Sequence, residues 1–137
     1  MSVPRFLLAV PLLAAGVVVP AVSAGPATAP AETIGMGHEA FAVDPAGAGS
    51  NEHPAVTIRA GSTLTFVNDS RWLHVIGPGE DGRITSEPGA PSLGTRGAFL
   101  SESGQTYTTA AWNTPGTYHV TCSLHPEMTV TVTVSNS

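Results

Sequence analysis

The stretch TYHVTCSLHPEMTVTVTV, residues 117–134, decides the architecture. Its last six residues set Val130, Val132 and Val134 against Thr129, Thr131 and Thr133, the period-two pattern of a strand with one face in a core and one in water. Upstream, Tyr118, Val120 and Cys122 share one face of another strand, with His119 on the other face as a solvated residue. A tight loop joins the two strands. Further upstream, the Asn113, Thr114, Pro115, Gly116 run makes a turn after a Thr- and aromatic-rich segment, residues 106–112. Trp72 to Ile76 is another apolar segment with His74 in its middle, entered through a break at Asn68, Asp69 and Ser70. Val56 and Ile58, a turn at Ala60 and Gly61, then Leu64 and Phe66 form a hairpin pattern, and Phe41 with Val43 suggests a first strand. Residues 77–104 are a long Gly/Pro/polar stretch with one apolar island at Ala98 to Leu100, and a loop of that length carries a function or hides a short element. Six or seven short strands joined by Gly/Pro turns make a two-sheet sandwich the economical arrangement. There is no internal repeat and no long amphipathic helix.

With 137 residues the chain has room for one domain. Apolar residues make up 42% and charged residues 11%, and 15 Gly with 12 Pro break up long helices, which favours an all-β fold. Residues 1–24 have the pattern of a signal peptide: Arg5, an apolar run over residues 6–19, and the small residues Val22, Ser23 and Ala24 before the cut. Pro11 and Pro20 interrupt the run, which is short for a membrane span of about 20 residues, so cleavage rather than stable insertion is expected. Residues 25–33 follow as a flexible leader and the domain covers residues 34–137. An exported, extracytoplasmic protein is implied. Once the signal is removed, four arginines face ten acidic residues, 4 − 10 or minus six, a balance that excludes nucleic acid and anionic membrane as electrostatic partners.

Cys122 is the only cysteine, so no internal disulfide forms and no N-terminal cysteine carries lipid. An unpaired thiol in an exported protein is a buried inert residue, an intermolecular bridge, or a ligand or nucleophile. The neighbours of Cys122 favour a ligand. Cys122, His125 and Met128 put a thiolate, an imidazole and a thioether on one loop, a soft donor set that selects copper over calcium or magnesium. Zinc is the alternative, but structural zinc sites gather several Cys or His ligands and seldom include Met. A trigonal copper site with a weak axial thioether needs one more histidine.

This Cys-x-x-His-x-x-Met segment resembles the ligand loop of the cupredoxins, the blue copper proteins of the plastocyanin and amicyanin kind. The resemblance runs from about His38 to Val134 and includes the Pro115, Gly116, Tyr118 approach to Cys122. It implies a Greek-key β-sandwich of about six to eight strands, one type 1 copper ion, and His74, after the Asn68 turn, as the remaining ligand. It further implies single-electron transfer with transient protein redox partners by a monomer that is not an enzyme, with His74 buried and His125 near the surface among apolar residues. A copper carrier or storage protein with an exchangeable site is the rival reading. Multicopper oxidases and copper nitrite reductases need additional histidines for a second copper centre, and this chain is too short. Met36 with His38 is the alternative location for a second copper, weighed against plain packing or surface roles, and His53, before Pro54 at the start of a strand, is left open as a donor to a second metal. Two departures from the family pattern stand out. Val75 follows the first histidine where a polar residue commonly ties the ligand segments together, which leaves Asn68 and Ser123 as the candidates for that tie. Leu124 stands where plastocyanins often have proline, so Pro126 is expected to stiffen the loop.

Overall fold

The computed structural model describes residues 31–43 and 53–136. The signal segment 1–24 and residues 25–30 of the expected leader lie outside them. The described residues are all-β. One sheet runs in the order β2 (Phe41–Ala42), β1 (Ala31–Met36), β4 (Thr63–Asn68) and β8 (Thr106–Thr108). The other runs β3 (Ala55–Arg59), β10 (His125–Ser135), β9 (Gly116–Cys122), β5 (His74–Glu80) and β6 (Arg83–Ile84), with β7 (Ala98–Leu100) also paired to β5. Ten strands thus replace the expected six to eight, the surplus being elements of two or three residues. Strand β1 opens at Ala31, so the last three residues of the expected leader are strand, paired in parallel with β4.

The alternation read from the sequence becomes the core between the sheets. Val130, Val132 and Val134 of β10 are buried with Val120 and Tyr118 of β9, and Ile34, Leu64 and Phe66 meet them from the other sheet. Such burial contributes about 1.5–3 kcal/mol for each large apolar side chain.

The expected hairpin over residues 56–66 does not form. Strand β3 pairs with β10 and β4 pairs with β1, so the turn at Ala60 and Gly61 is a corner between sheets. The reason is physical: Val56 and Ile58 on one strand and Leu64 and Phe66 on the other are all buried in one cluster, which they share by facing each other across the sandwich.

The long stretch 77–104 does hide elements. Strand β5 continues to Glu80 and turns at Asp81 (φ 48) and Gly82 (φ 74), two successive positive φ angles of the kind that match hairpin twist, into β6. Later in the stretch, β7 lays His74, Val75 and Ile76 opposite Leu100, Phe99 and Ala98. The segment therefore covers one flank of the strand that carries His74.

Candidate metal centre

Strands β5, β9 and β10 lie side by side, and their ends meet at one edge of the sandwich. The pairing of Ile76 with Cys122 puts the start of β5 beside the end of β9. After Cys122 the chain turns at once, because His125 pairs back to Cys122, and then the register slips until Thr129 meets Thr121. The residues in the slip, Pro126, Glu127 and Met128, form the bulged part of the loop. Tertiary structure so brings together His74, Cys122 and His125, whose donor atoms all lie within 4.8 Å of one another. Among the described residues this is the single group of three or more His, Cys, Asp or Glu side chains with such convergence.

Cys122 Sγ stands 3.7 Å from His74 Nδ1 and 3.5 Å from His125 Nδ1. A first-row metal bound at about 2.3 Å from sulfur and about 2.0–2.1 Å from nitrogen holds such donors about 3.5–3.8 Å apart for bond angles between tetrahedral and trigonal. The spacing is that of ligands around a shared ion. Cys122, His74 and Met128 are fully buried, whereas His125 is half-buried. Met128 belongs to the same buried cluster as Cys122, on the inward side of the period that continues through Val130 and Val132. One thiolate, two imidazoles and a nearby thioether fit a single type 1 copper ion.

Burial, followed by the imidazoles of His125 and His38, lowers the pKa of His74 from 6.5 to about 4. Its ring is neutral at ordinary pH, with a lone pair free for a metal. With Nδ1 turned to Cys122, Nε2 is left to donate to Ser70 Oγ at 3.1 Å. Ser70 Oγ donates in turn to Asn68 Oδ1 at 2.8 Å, and Asn68 Nδ2 donates to the carbonyls of Trp72 and Leu100. This outer chain of hydrogen bonds sets the tautomer and orientation of the inner histidine.

The tie between the ligand segments is a backbone one. The Ser123 N–H donates to the Val75 carbonyl at 2.9 Å, so the apolar side chain at position 75 is no obstacle. Of the two candidates from sequence, Ser123 makes the tie through its amide, and Asn68 braces the His74 segment instead. Thr121, which sequence reasoning passed over, donates to the Met128 carbonyl at 2.9 Å and accepts from the Gly82 N–H at 2.9 Å. Alternation puts Thr121 on the outward face of β9 with His119, so no local signal marked it; it is nevertheless fully buried there, between Gly82 and Thr129.

The other histidines do not join the cluster. His119 is not simply solvated: Nε2 lies 3.2 Å from Glu80 and Nδ1 3.4 Å from Glu87. Met36 is fully buried in the core cluster, whereas His38 is exposed. His53 is exposed.

No model of a known protein family matches the chain. No curated protein matches it by sequence. Solved structures do match. Amicyanin from Paracoccus versutus is 24% identical over 86% of this chain and 86% of its own, with a TM-score of 0.53. The reduced form of a tryptophan-to-tyrosine variant of amicyanin is 19% identical over 77% of this chain and 82% of its own, also at 0.53. The reduced Cu(I) form, at pH 4, of a proline-to-glycine variant of amicyanin gives the same values. A two-sheet sandwich with one cluster of soft donors at its edge defines the class. Its fold is that of the cupredoxins.

Proposed function

We propose that the chain is an exported blue copper protein that binds one type 1 copper ion through His74, Cys122, His125 and Met128 and passes single electrons between protein partners. The observation that carries this reading is the placement of Cys122 Sγ, fully buried, beside two histidine Nδ1 atoms at 3.7 and 3.5 Å. When bound, copper supplies a one-electron couple.

The residues supply the rest. Cys122 and His74, both fully buried, keep water from two sides of the site. Ser70 and Asn68 hold His74, and the Ser123 amide with the Thr121 hydroxyl holds the loop, so the donors keep their positions without help from a ligand. A fixed donor set limits reorganisation between oxidation states, which is what fast electron transfer requires. It also disfavours the exchangeable site of a carrier or storage protein. His125 is the half-buried ligand, and exposed Leu124, Leu73 and Trp72 supply apolar surface near it where a redox partner would dock. Redox interfaces are small, often under about 1,200 Å², so the complex is transient and the free protein a monomer. No helix among the described residues is long and apolar enough to cross a membrane. Export rests on the signal pattern of residues 1–24.

Titrating the mature protein with Cu(II) tests the reading. One equivalent should produce an intense thiolate-to-copper band that Cys122→Ser abolishes while the variant stays folded; a pale complex, or a blue Cys122→Ser protein, contradicts it.

A further inference from the structure

His38 was assigned no role at the metal centre by its sequence neighbourhood, yet the fold brings its ring to His125. Parallel pairing of β1 with β4 sets Met36 opposite Asn68, and the Asp69 N–H donates to the Met36 carbonyl at 3.0 Å. Both chains then leave the sheet at the same end. The β1 chain makes a tight turn, closed by the Gly37 N–H on the Ala40 carbonyl at 2.9 Å, with His38 at its tip. The β4 chain runs to Trp72, whose carbonyl accepts from Asn68 Nδ2 at 2.8 Å and whose N–H donates to Ser70 Oγ at 3.1 Å. The two rings stack with centroids 4.3 Å apart and planes 15° from parallel. An edge contact then joins His38 to His125, with centroids 5.5 Å apart and planes at 80°. His74 lies against another part of the His125 ring, with centroids 5.0 Å apart.

We infer that His38, held face-on by Trp72, is a positioning residue for His125, an aromatic stop that keeps this outer imidazole turned toward Cys122. The inference rests on the copper reading for its consequence and on geometry alone for the contact. His125 needs such a stop because it is the half-buried member of the set and its strand register slips immediately after it. The stop comes from the opposite sheet, so an outward swing of His125 has to displace a stacked pair rather than a free side chain. His38 acts as a wedge and not as a donor, since the convergent donor group consists of His74, Cys122 and His125 without it.

Four variants test the stop: His38→Ala, Trp72→Ala, the double variant and His38→Phe. In the metal-free wild-type protein, nuclear Overhauser contacts between the His38 ring and the rings of Trp72 and His125 should be present. In the copper-loaded protein, a Cu(I) chelator should strip the metal from either alanine variant roughly threefold to tenfold faster than from wild type, the size of one aromatic contact. The double variant should be no faster than the faster single variant, because the two rings act as one device. His38→Phe should restore the wild-type rate and the wild-type copper hyperfine splitting. Missing ring contacts, unchanged release in the alanine variants, or effects that multiply would each overturn the inference, as would a folded His38→Phe protein that behaves like His38→Ala. A wild-type protein that takes up no copper sinks the function reading instead, and the ring contacts of the metal-free protein then decide the stop by themselves.

Discussion

Ser70 shows how much of a metal site lies one step behind its ligands. Its hydroxyl accepts from His74 Nε2 and donates to Asn68, so Ser70→Ala leaves a fully buried ring nitrogen without its partner. An unpaired buried donor costs about 1–3 kcal/mol, and losing such an outer partner typically weakens metal binding about 10–100-fold. Competition with a calibrated copper chelator should show that loss in a folded Ser70→Ala protein, and an unchanged affinity would mean that His74 is held by packing alone. Met128, proposed as the axial thioether, would act differently, as a soft and weakly bonding donor. Met128→Leu should keep copper bound and raise the reduction potential, because the oxidised ion gives up a donor that the reduced ion hardly uses. Voltammetry at one pH decides between this and another axial group, for which the potential would not move.

At the scale of elements, β9 has an edge that β5 leaves uncovered. Their pairing ends at Pro78 opposite Val120, and proline has no N–H with which to continue a ladder. Glu87, from the long stretch after β6, fills the gap: its Oε2 accepts the His119 N–H at 2.9 Å, and its Oε1 lies 3.4 Å from the same residue's ring. A carboxylate here stands in for the carbonyl of a missing strand. Glu87→Gln retains an acceptor oxygen and should change stability little, whereas Glu87→Ala leaves the amide unpaired and should cost about 1–2 kcal/mol in urea unfolding of the metal-free protein. Equal losses for the two variants would show that charge, not the acceptor, matters. The same stretch anchors the copper edge through β7, which flanks His74, so its length serves a structural purpose on both sides of β5.

For the molecule as a whole, the buried His74 couples folding to pH. Its pKa is about 4 in the folded protein against 6.5 when exposed, so between these values the unfolded chain binds the extra proton. Stability of the metal-free protein therefore falls as pH falls from about 6.5 toward 4, with a slope approaching about 1.4 kcal/mol per pH unit, and this contribution levels off below 4. Urea midpoints between pH 7 and 5, above most carboxylate titrations, should decline in wild type and flatten in His74→Leu. A wild-type midpoint constant across that range would mean that His74 protonates freely in the folded state. Bound copper opposes the same proton, since a metal-ligated nitrogen has no lone pair to offer, so the loaded protein should resist the decline.

Much of this was written in local pattern. The threonine and valine alternation of residues 129–134 required a strand with one buried face, and the spacing of Cys122, His125 and Met128 put three soft donors on one loop, because both are short-range properties of a chain with fixed strand geometry. The Asp81–Gly82 turn was equally legible in principle, but the residues flanking it lack the alternation that would have marked a hairpin. Other features could not be read locally. Whether Val56 and Phe66 belong to one hairpin or to two facing sheets depends on which distant strands compete for their edges, since the same alternation serves either arrangement. The amide tie from Ser123 to Val75 and the Trp72-stacked His38 ring against His125 likewise depend on residues far apart in the chain, whereas the Ser70 relay joins residues within four positions that only the folded path of the segment lines up. Sequence determined which donors this protein has; only the packing of two sheets decided what holds them, because hydrogen bonds and ring contacts are set by distances in space that no spacing along the chain encodes.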